Sequence, residues 1–264
     1  MESQEAKKPR VIGILSGKGG VGKSVTAINI AALLNKAGKE TVLVDGDLSN
    51  PSVGLHLGLA YNAIGLNECL QGKHSVSDAI VIQPQTGMRI LPASLRYKRD
   101  VSLKQLNEVI VQLKGYDYII IDSPPGLTED AWQIMGVCDQ VVLVTTPDVP
   151  STTAAAKTLT LCKEYGTEAF GVLINRVTKA KYELTSREIA SMVEAPVVGE
   201  IPEDYSVPAS IAARMPLVLY KPDSAAAKKF RSLTRRMLGD SATEAQEEGI
   251  LQKIISAIKR LFGR

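Results

Sequence analysis

Short, nearly continuous apolar runs recur along the chain at 11–15, 41–44, 119–121, 140–145, 171–174 and 197–201. Runs of this length without polar alternation predict strands buried on both faces, as in a parallel sheet. Between them lie stretches of helical spacing at 24–35, 103–113, 128–137, 152–164, 183–193 and 223–238. The alternation predicts an α/β fold: a doubly wound, mostly parallel sheet with helices on both faces. Residues 88–91 add a further short strand, and 61–80 suit short helices without strong caps.

After Leu238 the pattern stops. A Gly- and acid-rich polar stretch over 239–249 has little to bury and reads as a linker, and an apolar pattern resumes at Ile250. At helical steps Ile250, Leu251, Ile254, Ile255, Ile258, Leu261 and Phe262 fall within an arc of about 140°, with Gln252, Lys253, Ser256, Lys259 and Arg260 opposite them. A basic polar face opposite large apolar residues describes a helix lying in a membrane interface. The expected organisation is a flexible segment over 1–10, a domain over 11–238, the linker over 239–249, and an amphipathic helix over 250–264.

Composition adds two limits. The chain has 31 basic and 28 acidic residues, and four of the basic ones lie in 249–264 with no acid, so the rest is close to neutral. Cys69, Cys138 and Cys162 lie far apart with no C-x-x-C pair, which argues against a disulfide framework, a zinc site or a redox pair and suits a reducing, intracellular setting. Neither a signal peptide nor a spanning helix is expected. His56, His74 and Trp132 stand without partners and read as structural.

The chemistry concentrates in Gly17-Lys18-Gly19-Gly20-Val21-Gly22-Lys23-Ser24, which satisfies G-x-x-x-x-G-K-[ST] between a strand and a helix. Such glycines let the backbone curl until successive N–H groups point at phosphate oxygens, and the following helix adds the positive end of its dipole. Lys23 is placed to reach the β and γ phosphates, and the Ser24 hydroxyl to ligate Mg²⁺. Asp122 ends the strand at 119–121, where a carboxylate holds Mg²⁺ directly or through water. Asp45-Gly46-Asp47 closes the second strand, and Asp47 there can also be read as an N-cap or turn aspartate before Leu48-Ser49-Asn50-Pro51.

Lys18 is not demanded by the general motif. With it, the loop resembles the K-G-G-x-G-K-[ST] signature of the MinD/ParA family of deviant Walker A ATPases. The resemblance implies that Lys18 reaches the partner's phosphates in a nucleotide-sandwich homodimer, and that Gly19, Gly20, Val21, Gly22 and Val25 line the phosphates. It further implies that Asp47 positions or activates the attacking water with a role at the metal, that Ser123-Pro124-Pro125-Gly126 is a second switch, and that Asn175, Arg176 and Pro202 flank adenine. Val25 and Pro125 depart from the family pattern, where a hydroxyl and a small residue are usual.

Similarity to the MinD branch extends to 90–94, 146–151, 198–204 and Lys259-Arg260-Leu261-Phe262-Gly263. It implies a cytoplasmic ATPase that attaches peripherally to the inner face of the cell membrane through 250–264 when ATP makes it dimeric, and that positions cellular structures with a regulatory or cargo protein. A partitioning ATPase calls for a basic surface on the folded domain, and no sequence-specific nucleic acid is expected here. An iron–sulfur carrier calls for paired cysteines. A flagellar-placement, other cargo-positioning or partitioning ATPase of the same family and a soluble metabolic P-loop enzyme remain as alternatives.

Overall fold

The computed structural model describes residues 8–59, 64–95 and 101–239. In chain order the elements are β1 (Arg10–Leu15), α1 (Lys23–Lys36), β2 (Thr41–Asp45), α2 (Val53–His56), α3 (Leu66–Leu70), α4 (Val76–Ala79), β3 (Val81–Ile82) and β4 (Arg89–Leu91). They continue as α5 (Leu106–Gln112), β5 (Tyr118–Asp122), α6 (Glu129–Val137), β6 (Gln140–Thr145), α7 (Val149–Glu164), β7 (Glu168–Val177), α8 (Ser186–Val193), β8 (Val197–Pro202), α9 (Ser206–Ala212), α10 (Leu217–Tyr220) and α11 (Ala225–Met237). The eight strands form one sheet in the order β3-β4-β2-β5-β1-β6-β7-β8. Among the described residues only the β3–β4 pairing is antiparallel. The doubly wound reading therefore holds.

The continuous apolar runs have the expected cause, since each strand serves two cores. Val11, Val42, Ile119 and Val141 face a layer closed by α3, α5, α6, α7 and α8. Ile12, Leu43, Ile120 and Val142 face a second layer closed by α1, α10 and α11. The chain leaves β1 for β2 on one side and β6 lies on the other, so β1 marks the point where winding reverses. In open α/β sheets the crevice beyond the strand ends at such a point receives ligands.

Several boundaries differ from the periodicity, each through a polar side chain. Helix α7 starts one turn before 152, because Asp148 Oδ1 accepts from Ser151 N at 2.9 Å and Pro150 suits a first turn. Helix α8 starts after 183, because Glu183 accepts from Thr178 N at 3.0 Å and Lys179 N at 2.8 Å and so belongs to the preceding loop. In place of weak caps within 61–80, α4 has a capping box in which Ser75 Oγ accepts from Asp78 N and Asp78 Oδ2 from Ser75 N. The short β3, α2, α9 and α10 lack a periodicity long enough to announce them. The expected linker beyond Gly239, the 250–264 helix and most of the 1–10 segment lie outside the described residues.

Candidate functional site

The loop over 16–22 leaves the end of β1 and enters α1 with Gly22 at φ 101°, a left-handed conformation that favours glycine. A Cβ at Gly22 would also lie 2.1 Å from Asn175 Nδ2. Gly17 is constrained by approach alone, since a Cβ there would meet the Ala154 carbonyl oxygen at 2.4 Å. The loop is thus fitted between β7 and the first turns of α7. Gly126 N donates to the Ser16 carbonyl at 3.2 Å, and Pro125 lies beside Gly19, so the 123–126 segment rests on the same loop.

Register brings the acids together. In the parallel β2–β5 pairing Asp45 stands directly beside Asp122, one residue ending each strand. Both are almost wholly buried, and so are Lys23 and Asp47. Neither carboxylate oxygen of Asp122 accepts a normal hydrogen bond. Burial pushes the Asp122 carboxyl up to about 7, with Ser24 and Lys23 pulling against it and Asp47 reinforcing it. Burial, then the charge of Asp122, holds Asp45 well above the usual carboxylate range. Asp47 is raised chiefly by burial and partly held down by the Asn50 N–H and Lys23. Burial pulls the Lys23 amine below the ordinary lysine range, opposed by Asp122 and Asp47. A lone ammonium therefore faces a concentration of carboxylates inside the fold, an arrangement that a divalent cation would relieve. Among the described residues no three His, Cys, Asp or Glu side chains converge as ligands of one ion. Mg²⁺ takes few protein oxygens and completes its shell with phosphate and water.

Other residues take places that linear reading did not give. Asp45 Oδ2 accepts from Ser52 N at 3.1 Å and Val53 N at 3.0 Å, starting α2, and Ser52 Oγ donates to Ser24 Oγ at 2.8 Å. Asp45 had a sequence signal as the last residue of its strand, whereas Ser52 had none. Asp47 Oδ1 accepts from Asn50 N at 2.9 Å, so the turn role is present in this structure. Val25 packs at the edge of the α1 layer and lines a cleft with His56 and Met215.

Asn175 sits under the loop, its Nδ2 donating to the Val21 carbonyl at 2.7 Å. One amide hydrogen and the Oδ1 acceptor are left for any ligand edge. Arg176 follows in a left-handed conformation at φ 59° and is exposed, and Pro202 ends β8. Asp204 turns inward and accepts from Ser206 N and Ala226 N. Asn175→Ala is expected to free the Val21 carbonyl and weaken nucleotide affinity about tenfold, the worth of one hydrogen bond at a buried position; calorimetry checks this, and unchanged affinity would show that the loop is held without it.

Lys18 has a side chain half exposed at the mouth of the loop. Its Nζ donates to Ser151 Oγ at 3.2 Å and lies 3.6 Å from Asp148 Oδ1, at the start of α7.

A ParA family model, described as an iron-transfer P-loop NTPase, matches residues 7–238. An ATP-binding protein of Methanocaldococcus jannaschii is 34% identical over 257 residues, 96% of this chain and 97% of that one. The septum site-determining protein MinD of Pyrococcus horikoshii, solved with Mg-ADP, is similar at TM-score 0.82 and 31% identity over 87% of this chain and 96% of that one. The Aquifex aeolicus MinC:MinD cell division complex contains a chain similar at TM-score 0.79 and 26% identity, over 88% and 96%.

Proposed function

Since this chain belongs to the ParA family of P-loop NTPases, we propose that it is a slow ATPase working as a dimerising membrane switch for spatial positioning, of the MinD kind. ATP gives a homodimer attached to the inner face of the cell membrane through 250–264, and hydrolysis returns a monomer to the cytoplasm. The observation that carries this reading is Lys18: its side chain is half exposed at the loop mouth, and its ammonium lies beside Asp148 and Ser151 at the start of α7.

In this reading Lys23 places its charge inside the backbone cradle, and the Ser24 hydroxyl and Asp122 carboxylate hold the metal. Bound Mg-ATP would supply the electrophilic phosphorus and a cation that neutralises charge on the transferred oxygens. Asp47 orients a water molecule from just beyond β2, where burial raises its carboxyl and makes it the stronger base. Lys18 arrives from the second subunit, so the full set of positive charges exists only in the dimer. Two 250–264 segments on one dimer make the second membrane contact intramolecular, turning weak adsorption into attachment.

The iron-transfer description attached to the family model finds no support in this chain, because Cys69, Cys138 and Cys162 are all buried and unbridged. A cluster carrier needs thiolates at a surface where iron can be passed.

Sedimentation of the full chain with anionic vesicles tests the switch: pelleting with ATP and not with ADP or without nucleotide is expected. Equal pelleting in all three states would sink it. Lys18→Ala and Asp47→Ala should both bind ATP and hydrolyse it poorly, yet differ in assembly. Light scattering should find monomers for Lys18→Ala and a persistent dimer for Asp47→Ala. A Lys18→Ala protein that dimerises normally with ATP removes the role in trans.

A further inference from the structure

Ser52 stands where a helix cap belongs and does not cap. It is the residue before α2, yet its side chain accepts no hydrogen bond from the first turn of that helix. A serine at such a position ordinarily satisfies one of the free N–H groups there. Here Asp45 has taken that part, since its Oδ2 accepts from Ser52 N at 3.1 Å and from Val53 N at 3.0 Å. The Ser52 hydroxyl is thereby released, and it donates to Ser24 Oγ at 2.8 Å, across 28 positions of chain.

The loop that carries Ser52 is held at both ends by the tips of β2 and β5. Gly46 N donates to the Asp122 carbonyl at 2.8 Å, and a Cβ on Gly46 would lie 2.8 Å from that same oxygen. Asp47 N donates to Asp45 Oδ1 at 3.3 Å, and Asn50 N to Asp47 Oδ1 at 2.9 Å. Residues 46–52 therefore form a hoop closed at both ends on Asp45, and Ser52 ties it to the first turn of α1. These closures use backbone donors, so the Ser52 hydroxyl is not needed to build the hoop.

A hydroxyl has one hydrogen and two lone pairs. At Ser24 the bond from Ser52 occupies one lone pair, and the hydrogen points elsewhere. Ser24 stabilises the Asp122 carboxylate, which draws that hydrogen toward it. One lone pair remains.

We propose that Ser52 is a positioning residue for the metal: by donating to Ser24 it fixes the rotation of that hydroxyl and leaves a single lone pair for a divalent cation. This rests on the reading of Ser24 as a metal ligand. A freely turning hydroxyl loses its rotation when a cation binds, whereas one already held by Ser52 has less to lose. The same hoop carries Asp47, so one hydrogen bond links the metal ligand to the residue read as orienting water.

The test is calorimetric titration of the full chain with ADP, in excess Mg²⁺ and in EDTA, because the ratio of the two affinities measures what the metal adds. Ser52→Ala should shrink that ratio about fivefold, the worth of one partly buried hydrogen bond. Its affinity in EDTA and its nucleotide-free thermal midpoint should be those of the wild type. Ser52→Thr, which keeps the hydroxyl, should restore the wild-type ratio. A Ser52→Ala protein with the wild-type ratio overturns the proposal. So does equal weakening with and without Mg²⁺, the mark of a residue that only shapes the loop. Ser24→Ala separates the two ideas. If it removes the contribution of the metal while Ser52→Ala leaves it intact, the ligand reading of Ser24 stands and the role of Ser52 falls. If Ser24→Ala also keeps the wild-type ratio, both fall.

Discussion

Replacement of Lys23 by alanine is expected to weaken ATP binding by a hundredfold or more, about 3 kcal/mol, because a charge-assisted contact inside a desolvated cradle is lost. The structure makes this loss larger than the motif alone implies. Lys23 is buried and faces Asp122 and Asp47, so its removal takes away the cation nearest to a cluster of carboxylates. An incoming polyphosphate then meets uncompensated negative charge. Calorimetry measures the affinity, and a thermal melt of the nucleotide-free variant separates loss of a contact from loss of the fold. Unchanged ATP affinity in a folded variant would remove the nucleotide site from Gly17–Ser24.

Truncation after Gly239 is expected to abolish ATP-dependent attachment to anionic vesicles while ATP binding and dimerisation persist. Helix α11, the last before that point, is anchored by its own side chains, with Phe230, Leu233 and Met237 in the layer under α1. The segment removed holds seven large apolar side chains, each worth about 1.5–3 kcal/mol when fully buried. Ordering each of its residues costs about 1–2 kcal/mol, so a single copy is marginal and the attached state depends on two. Ile254→Glu should act nearly as strongly by placing a carboxylate in the apolar face, and Lys259→Glu more gently and only on anionic lipid. Vesicle sedimentation of the truncated protein at wild-type levels would leave a soluble dimeric ATPase switch as the better account.

The strands could be read from the chain because burial on both faces leaves an unbroken apolar run, a property of consecutive residues. The same holds for the phosphate loop: all eight residues from Gly17 to Ser24 are contiguous, and the chemistry lies in their backbone. Lys18 was visible for the same reason, and the amphipathic pattern of 250–264 is likewise local. The resemblance to the family rested on these local features.

What needed the third dimension was every relation between distant segments. Asp45 and Asp122 become neighbours only because β2 and β5 pair in that register, and burial there raises both carboxyls. Asn175 supports the loop through Val21, a contact spanning 154 positions. Lys18 and Asp148 meet because α7 starts beside the loop, and α7 starts there because Asp148 caps it, a side-chain choice that periodicity does not register. A sequence states which groups exist and which are adjacent along the chain; charge density, desolvation and the partner of a hydrogen bond depend on distances through space, which only the packed sheet and helices set.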